Sequence, residues 1–363
     1  MKRFVTSESV TEGHPDKICD KISDKILDTA LEQDKDSKMA VECTIKDDLV
    51  FIYGECNTKA KLDYERIAKE VLKDIGYQEE FKVITKISQQ SKEINQAVVK
   101  KKIAAGDQGI MFGYATNETS EYMPLPSLLA NKITKELAKV RKEDKNSPLL
   151  PDGKSQVTIE YEDDIPKRID TIIVASQHRK DVTQEALANY IKTNIINKVI
   201  PSKYLDNETK ILINTSGSFI IGGPFADSGT TGRKIVVDAY GGSARVGGGC
   251  FSSKDSSKVD RSAAYYARYV AKNIVYHKLC DKCEIGVSYA IGKEKPIRIN
   301  IETFNTNKVP LTEIYEFVNK NFDFSVDNII NELELKKPIY YETAAYGHFG
   351  RNNFPWEKIK EII

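Results

Sequence analysis

The stretch DSGTTGRKIVVDAYGGSARVGGGCFSSKDSSKVDR, from Asp227 to Arg261, decides how this chain is interpreted. Its IVVDAY portion is typical of a strand. A glycine-dense turn, Gly241–Gly249, and a run of basic residues follow it. Glycines let backbone amides approach a ligand closely, and lysines and arginines supply positive charge for phosphate oxygens. Asp255 and Asp260 stand among these cations and are suited to hold a divalent ion. The stretch predicts a polyphosphate cradle; the alternative is a glycine-rich surface loop beside a solvated charge run.

Three further motifs accompany this stretch: GHPDK at Gly13–Lys17, GDQGIMFGY at Gly106–Tyr114 and ETAAYGHFG at Glu342–Gly350. With the GGG-F-S-KD--KVDRS pattern of the cradle, they resemble the S-adenosylmethionine synthetase (methionine adenosyltransferase) family over essentially the whole chain. The resemblance implies that methionine sulfur displaces a whole triphosphate from C5′ of ATP, after which the triphosphate is hydrolysed to pyrophosphate and phosphate.

Length and composition exclude several other classes of protein. A chain of 363 residues predicts two or three domains, and a net charge of +1 gives no support to nucleic-acid binding. No apolar run approaches the roughly 20 residues of a membrane span. The N-terminus lacks the apolar region of a secretory signal. We therefore expect a cytoplasmic protein with neither nucleic acid nor membrane as a partner.

The six cysteines do not form a disulfide framework in a chain of this length. Cys280 and Cys283 form a single CxxC without a second pair or paired histidines nearby. Packing of Cys283 at the start of a strand is a better interpretation than zinc binding.

One pattern recurs three times along the chain: a helix, two strands and a second helix. It predicts an α+β fold of three structurally related α/β domains, each a β-hairpin with helices. Pro148 and Pro151 indicate a polar linker within the second unit. The predicted elements are Asp16–Gln33, Met39–Ile45, Leu49–Cys56 and a helix from Asp63 to Gly76; then Ser127–Lys142, Ser155–Tyr161, Arg168–Ser176 and Thr183–Ile200; then Asp260–His277, Glu284–Ile291, Ile297–Phe304 and Leu311–Phe322.

The resemblance implies that the three domains surround a pseudo-threefold axis. We place their bounds at residues 1–105, 106–221 and 222–363, with termini free to cross between domains. The polar, aperiodic segment at about 88–105 is predicted to be a lid loop, because a long polar loop inside a compact enzyme is often a lid and the family has a loop here that closes over the active site.

Apolar residues crowd both faces of the strand segments Leu49–Tyr53 and Thr171–Val174. Their second faces are therefore expected to pack together, within or between subunits. The resemblance implies a homodimer with active sites at the subunit interface; dimer and tetramer both remain open.

The proposed chemistry needs fixed positive charge, because a neutral thioether is a weak nucleophile and the triphosphate must be stabilised as it leaves. Pro15 is suited to the first position of a helix whose free amides would face an anion, and a neutral His14 is suited to donate a hydrogen bond to the bridging oxygen. Without the family resemblance, a capping or core role would be the better interpretation of His14. The candidate phosphate ligands are Lys154, Arg233, Lys234, Lys254 and Lys258.

Hard divalent ions near phosphates take one or two carboxylates, which makes Asp16 and Asp260 the candidate ligands of Mg²⁺, with two ions per site. By resemblance, Glu42 corresponds to a position that binds K⁺. The resemblance also assigns substrate contacts. Glu55, Gln90 and Asp107 would contact methionine, Asp227 would lie between methionine and ribose, Phe219 and Ile291 would enclose the adenine, and Asp152, Ser218 and Cys250 would complete the substrate site.

The sequence departs from the family pattern at four positions near the nucleotide. Bacterial members usually have arginine at the position of Ser218 and histidine at that of Val246, and their GGGAFSGKD differs here at Cys250 and Ser253. These differences put the nucleotide selectivity in doubt, but they remove neither a phosphate lysine nor a metal carboxylate.

Two other functions also fit the charged motifs. One is a different ATP- and Mg²⁺-dependent transferase or kinase, and the other is a regulatory subunit that binds a nucleotide without turnover. No Walker motif and no strand-linked GxGxxG occurs, which disfavours P-loop and Rossmann folds.

Overall fold

The computed structural model describes residues 2–89 and 103–362. The strands are β1 (Lys2–Val10), β2 (Lys38–Lys46), β3 (Leu49–Asn57), β4 (Lys82–Gln89), β5 (Gly109–Thr116), β6 (Leu149–Glu162), β7 (Ile165–His178), β8 (Lys210–Ile213), β9 (Gly229–Thr230), β10 (Lys282–Tyr289) and β11 (Arg298–Glu302). The helices are α1 (Pro15–Gln33), α2 (Tyr64–Ile75), α3 (Leu125–Glu143), α4 (Gln184–Ile191), α5 (Ile235–Asp238), α6 (Val259–Tyr276), α7 (Leu311–Asn321) and α8 (Val326–Glu332).

Three sheets organise these strands, in the orders β1-β6-β7-β8, β11-β10-β5 and β4-β3-β2-β9. Each sheet contains a strand from another third of the sequence. The N-terminal β1 runs antiparallel to β6 with Val10 opposite Lys154, β5 pairs with β10, and β9 joins β2 with Thr230 opposite Thr44. These long-range pairings bring the sequence motifs together.

Two buried apolar clusters support the sheets. The larger cluster joins α1, α2 and α6 to the sheets of β2 and β10, and the second cluster lies between α3, α4 and the β6–β7 hairpin. The apolar residues of α1 that recur every four positions, Ile18, Ile22 and Ile26, are fully buried in the larger cluster. Amphipathic helices covering sheets confirm the predicted α+β class.

The expected hairpins and helices form close to their predicted bounds. Asp63 caps α2 by accepting the amide N–H of Arg66 (3.0 Å), and Gly76 ends the helix at φ 118°. The predicted helix Thr183–Ile200 is α4 continued by a π-helical turn, Lys192–Ile196, and a last helical turn.

Two local predictions were wrong. The IVVDAY segment is not a strand: α5 forms one short helical turn there. The proposed linker around Pro151 is instead the beginning of β6, where the register to β7 shifts between Leu149 and Gly153. Proline is tolerated in a strand at such an irregularity, because the ladder there does not require its missing N–H.

The predicted lid begins inside β4, which extends through Ser88 to Gln89 and pairs with β3. At its other end Ala105 is buried and exchanges backbone hydrogen bonds with Gly292 and Lys293 (2.8 and 2.9 Å). The remainder, including Gln90, lies outside the described residues. In the two described ranges, no helix combines the length and apolarity that crossing a membrane requires.

Candidate active site

The first half of the site forms where the segment after β9 meets the N-terminus of α1. The pairing of Thr230 with Thr44 is extended by the amide of Thr231, which donates to the carbonyl of Cys43 (3.0 Å). A side chain at Gly229 would lie 2.2 Å from the Pro15 backbone, so only glycine permits this approach. Lys234 is thereby placed next to the first turn of α1.

His14 is the N-cap of α1, and its Nδ1 accepts the amide N–H of Asp16 (3.2 Å). An accepting Nδ1 carries no hydrogen, so the ring proton of neutral His14 is on Nε2. Burial and the positive charges of Lys234 and Lys154 lower the pKa of His14 to about 3. The capping interpretation is confirmed, and it leaves Nε2–H as a donor.

Asp16 and Lys234 form an ion pair of 2.5 Å between Oδ2 and Nζ, and the other oxygen of Asp16 accepts the Thr230 amide N–H (2.9 Å). Burial would raise the pKa of Asp16, but Lys234 and the Thr230 amide hold it below the usual value. The Asp16 side chain is nearly buried, whereas that of Lys234 is 19% exposed. The ammonium group thus remains accessible beside the His14 ring.

Lys154 and Asp152 reach this cluster from β6, because β1 and β6 are aligned and the Thr11 amide donates to the Gly153 carbonyl (2.9 Å). Lys154 is exposed, but Asp152 is buried. Oδ2 of Asp152 accepts the Gly223 amide N–H (2.8 Å), while its buried Oδ1 has no hydrogen-bond partner among the described residues. Burial raises the pKa of Asp152.

The second half of the site lies where the glycine turn meets the N-terminus of α6. Lys254 forms an ion pair with Asp260 in the first turn of that helix. A Cβ atom at Gly249 would lie 2.1 Å from Oδ2 of Asp260, so the turn approaches this carboxylate more closely than a side chain allows. Both partners are partly exposed, at 17% for Lys254 and 14% for Asp260.

Lys258 is held by Asp255, with 2.6 Å between Nζ and Oδ2. Asp255 is fully buried and also accepts the amides of Met39 and Ser257 (both 2.9 Å). Burial opposes its ionisation, but Lys258 and Lys38 hold the pKa of Asp255 well below its usual value. Since its oxygens are already engaged, Asp255 anchors the cation segment, and this arrangement does not favour the metal role first suggested for it.

Glu42 and Cys250 adjoin this second half. Burial raises the pKa of Cys250 to about 11, with opposing influences from Lys254 and the carboxylate of Glu42. A side chain at Gly232, where φ is 81°, would lie 2.7 Å from the Cys250 sulfur, so the two halves of the site meet at this contact.

The other assigned residues lie in loops and turns, except Glu55, which lies on β3. Their side chains form no hydrogen bond or ion pair with the two clusters in the part of the chain that the structure describes. Ser218 and Asp227 are exposed, the amide of Phe219 donates to Nε2 of His178 (3.1 Å), and Ile291 is 48% exposed. Arg233 and Asp107 are exposed and Glu55 is half-buried on β3.

Sequence reasoning overlooked two aspartates of α1. Asp20 accepts the Gly232 amide N–H (2.8 Å), and Asp24 accepts the Ser253 amide N–H (3.0 Å). The detectable signal was the spacing of Asp16, Asp20 and Asp24, four residues apart on a helix whose isoleucines show the same period.

No group of three or more His, Cys, Asp or Glu side chains with the arrangement of a metal site occurs in residues 2–89 and 103–362. The donor chemistry nevertheless fits Mg²⁺ shared with a polyphosphate, which takes one or two carboxylates and completes its shell with phosphate oxygens and water. Asp16 and Asp260 are carboxylates of this kind, each beside a lysine suited to the same polyphosphate.

Sequence comparisons agree with the motifs. Models of the N-terminal, central and C-terminal domains of S-adenosylmethionine synthetase match residues 2–101, 102–219 and 221–358. An S-adenosylmethionine synthase of Clostridium botulinum is 50% identical over 100% of this chain and 98% of its own length. One from Finegoldia magna is 49% identical over 98% of this chain and 96% of its own length, and one from Staphylococcus epidermidis is 50% identical over 99% and 96%.

Proposed function

The chain belongs to the S-adenosylmethionine synthetase family and is a methionine adenosyltransferase, and we propose that it transfers the adenosyl group with release of the intact triphosphate. A lone pair of the methionine sulfur would attack C5′ of ATP, and the C5′–O bond would break with its electron pair leaving on triphosphate. Water would then hydrolyse the triphosphate to pyrophosphate and phosphate. The observation that carries this proposal is that Lys234, Lys254 and Lys258 are each held by a carboxylate, on segments that come together where Gly232 contacts Cys250.

The three lysines are preorganised for an anion. Each ammonium is held by a carboxylate within 2.6 Å or closer, yet each side chain keeps between 15% and 19% of its surface exposed. Charges fixed in this way stabilise the departing triphosphate without reorganisation at the moment of reaction. Arg233 and Lys154, both exposed, would add charge at the two edges of the lysine group.

His14 would donate Nε2–H to the bridging oxygen, where negative charge develops as the C5′–O bond breaks. Its tautomer is set by the Asp16 amide, which donates to Nδ1. The low pKa of the ring keeps it a neutral hydrogen-bond donor throughout the physiological range.

Asp16 and Asp260 would hold two Mg²⁺ ions per site. When bound, the ions would supply additional positive charge to the polyphosphate. The lysines paired with these carboxylates would then turn toward the phosphates. Glu42, which lies on β2 near Cys250, would hold K⁺ at the border of the cradle.

Asp152 would accept a hydrogen bond from a substrate through Oδ1, the buried oxygen to which no residue in the described ranges donates. A buried acceptor of this kind discriminates strongly against ligands that lack the matching donor. Glu55, Gln90, Asp107 and Asp227 would contact methionine and the ribose, and Ser218, Phe219, Cys250 and Ile291 the nucleotide.

A homodimer with active sites at the interface is proposed from the outer face of the β2–β3–β4 sheet. Val50 and Ile52 are fully buried beneath it, whereas Phe51 lies on the opposite face beside Ile84, which is 43% exposed. Glu55 belongs to the same outer face, since side chains alternate along a strand. A partner covering this face would therefore also cover the proposed methionine contact.

A cytoplasmic location is proposed because all six cysteines are free thiols, as is usual in reducing compartments.

Product analysis with ATP, methionine, Mg²⁺ and K⁺ tests the proposal. We expect S-adenosylmethionine, pyrophosphate and phosphate in equal amounts. ADP as the nucleotide product would instead support the kinase alternative, and binding of ATP without any turnover would support a regulatory subunit.

A further inference from the structure

Helix α1 carries four aspartates at intervals of four residues: Asp16, Asp20, Asp24 and Asp28. This spacing places them on one face of the helix, and each is at least 96% buried. Buried carboxylates are costly unless they are paired and hydrogen-bonded. The groups that pair with these carboxylates therefore indicate the role of the four aspartates.

Asp20 connects the helix to the segment that carries Arg233 and Lys234. Its Oδ1 accepts the amide N–H of Gly232 (2.8 Å), the residue immediately before Arg233. Its Oδ2 accepts from Nζ of Lys17 (3.0 Å), which also pairs with Asp238 at the end of α5. The segment from 232 to 238 is thus fixed at both ends by charges that α1 supplies.

Asp24 connects the same helix to the segment that carries Lys254. Its Oδ1 accepts the amide N–H of Ser253 (3.0 Å), and both its oxygens bind the guanidinium of the fully buried Arg261 (2.7 and 2.8 Å). Ser253 has φ 79°, a left-handed conformation that a non-glycine residue adopts only under restraint. The bond from its amide to Asp24 supplies such a restraint, one residue before Lys254.

We propose that Asp20 and Asp24 are positioning residues for phosphate stabilisation, which hold the backbone from which Lys234 and Lys254 extend. The proposal rests on the phosphate role assigned to these lysines above. Hydrogen bonds from amides to a carboxylate are roughly twice as strong as those between neutral groups, and a misplacement of about 1 Å can cost about 10² in rate. The two aspartates act through the lysines rather than on the substrate.

Asp28 provides a matched control. It lies on the same helix face and accepts two backbone amides, those of Tyr340 (3.0 Å) and Tyr341 (2.8 Å). These amides belong to the C-terminal segment, which carries none of the proposed phosphate ligands. Loss of Asp28 therefore reports the cost of removing a buried carboxylate from α1 without removing a hydrogen bond to either lysine segment.

The test compares Asp20→Ala and Asp20→Glu with Asp28→Ala and Asp28→Glu in the full-length enzyme. Alanine removes the acceptor, and glutamate keeps the charge but shifts the carboxylate by one methylene. The measurements are kcat and KM for S-adenosylmethionine formation, calorimetric binding of Mg²⁺–tripolyphosphate and the melting temperature. We expect both Asp20 variants to lose about 10² in kcat and to bind tripolyphosphate more weakly, with a smaller change in KM for methionine.

Both Asp28 variants should lose thermal stability but keep kcat and tripolyphosphate affinity close to those of the wild type. If Asp20→Ala does not fold, Asp20→Glu carries the comparison. Wild-type kcat and tripolyphosphate binding in the Asp20 variants, or equal losses in the Asp28 variants, would overturn the positioning role. Lys254→Met in the same assays distinguishes the positioning role of the aspartates from the phosphate role of the lysines. Wild-type behaviour in that variant would overturn the phosphate role itself.

Discussion

Lys254 and Asp260 illustrate how a single ion pair can prepare two ligands of one polyphosphate. Both side chains are mostly buried but keep 17% and 14% of their surface exposed, so a ligand can reach them. A phosphate oxygen that replaced the Asp260 carboxylate at Lys254 would keep the ammonium paired, so the exchange would leave no buried lysine charge without a partner.

Lys254→Met should reduce S-adenosylmethionine formation by about 10²–10³ while the protein stays folded, since one preorganised charge contact is lost. Steady-state turnover and circular dichroism measure the two effects. Lys69→Met is the matched control, because Lys69 is an exposed lysine of α2 that pairs with Glu65 (2.8 Å) far from the glycine turn in sequence. Equal turnover in the two variants would contradict the assignment of Lys254 as a phosphate ligand.

Asp16→Asn and Asp260→Asn should raise the Mg²⁺ concentration needed for half-maximal activity. Asparagine preserves the side-chain volume but lacks the charge that a hard divalent ion prefers. The measurement is activity against Mg²⁺ concentration at saturating ATP and methionine. Asp170→Asn, at a half-buried position on β7, serves as the control; a metal requirement unchanged from wild type in both site variants would exclude them as ligands.

The sequence motifs located the charged residues, but the charges alone did not reveal which carboxylates anchor the backbone. Asp255 and Asp260 stand five residues apart among the same lysines, yet Asp255 is fully buried and engaged by amides, whereas Asp260 is partly exposed. The difference depends on Met39, more than 200 residues away, whose amide donates to Asp255.

At the scale of elements, the glycine turn is shaped by close contacts rather than by flexibility. Gly249 lies against Asp260, whereas among the described residues nothing except the chain neighbours of Gly248 comes within 4 Å of where its Cβ would be. Neighbouring glycines of the same turn thus differ in what a methyl group would displace.

Gly249→Ala should impair turnover much more than Gly248→Ala. The added methyl group would meet Asp260 at 2.1 Å and push the carboxylate away from Lys254, since the three atoms nearest to it all belong to the Asp260 side chain. We therefore expect a lower kcat and a higher Mg²⁺ requirement for Gly249→Ala, with similar melting temperatures for both variants. Similar kinetics in the two variants would show that this contact is unimportant.

The hairpins and long helices were predictable because their patterns are local. β2 and β3 alternate over a two-residue turn, and α2 has a cap at each end. β1 and β9 have partners about 150 and 185 residues away, so no local pattern defines them. The IVVDAY segment has the composition of a strand, but the Lys17–Asp238 ion pair fixes it as part of a helical turn.

At the scale of the whole molecule, each of the three sheets contains one strand from another third of the chain. The three thirds therefore depend on one another to complete their sheets. The outer face of the β2–β3–β4 sheet is an apolar surface that the described residues leave uncovered. Its exposed residues include Leu49 at 39% and Ile84 at 43%. Contiguous apolar surface of this kind marks an interaction site.

Phe51→Lys should shift the protein from dimer to monomer and reduce turnover, since a charge would be placed in the proposed interface beside Glu55. Light scattering after size-exclusion chromatography measures the mass, and activity is followed in the same fractions. Ile165→Lys is the control, because Ile165 is an exposed apolar residue, at 58%, next to the β6–β7 turn. A dimer that withstands Phe51→Lys would place the interface elsewhere.

The fate of the triphosphate tests the central claim most directly. In a single turnover with ATP labelled at the γ-phosphate, rapid quenching should reveal labelled tripolyphosphate forming at the same rate as S-adenosylmethionine, before any labelled phosphate or pyrophosphate appears. Lys254→Met should slow the formation of both by the same factor. Labelled phosphate together with ADP ahead of S-adenosylmethionine would contradict release of the intact triphosphate and the cradle that explains it.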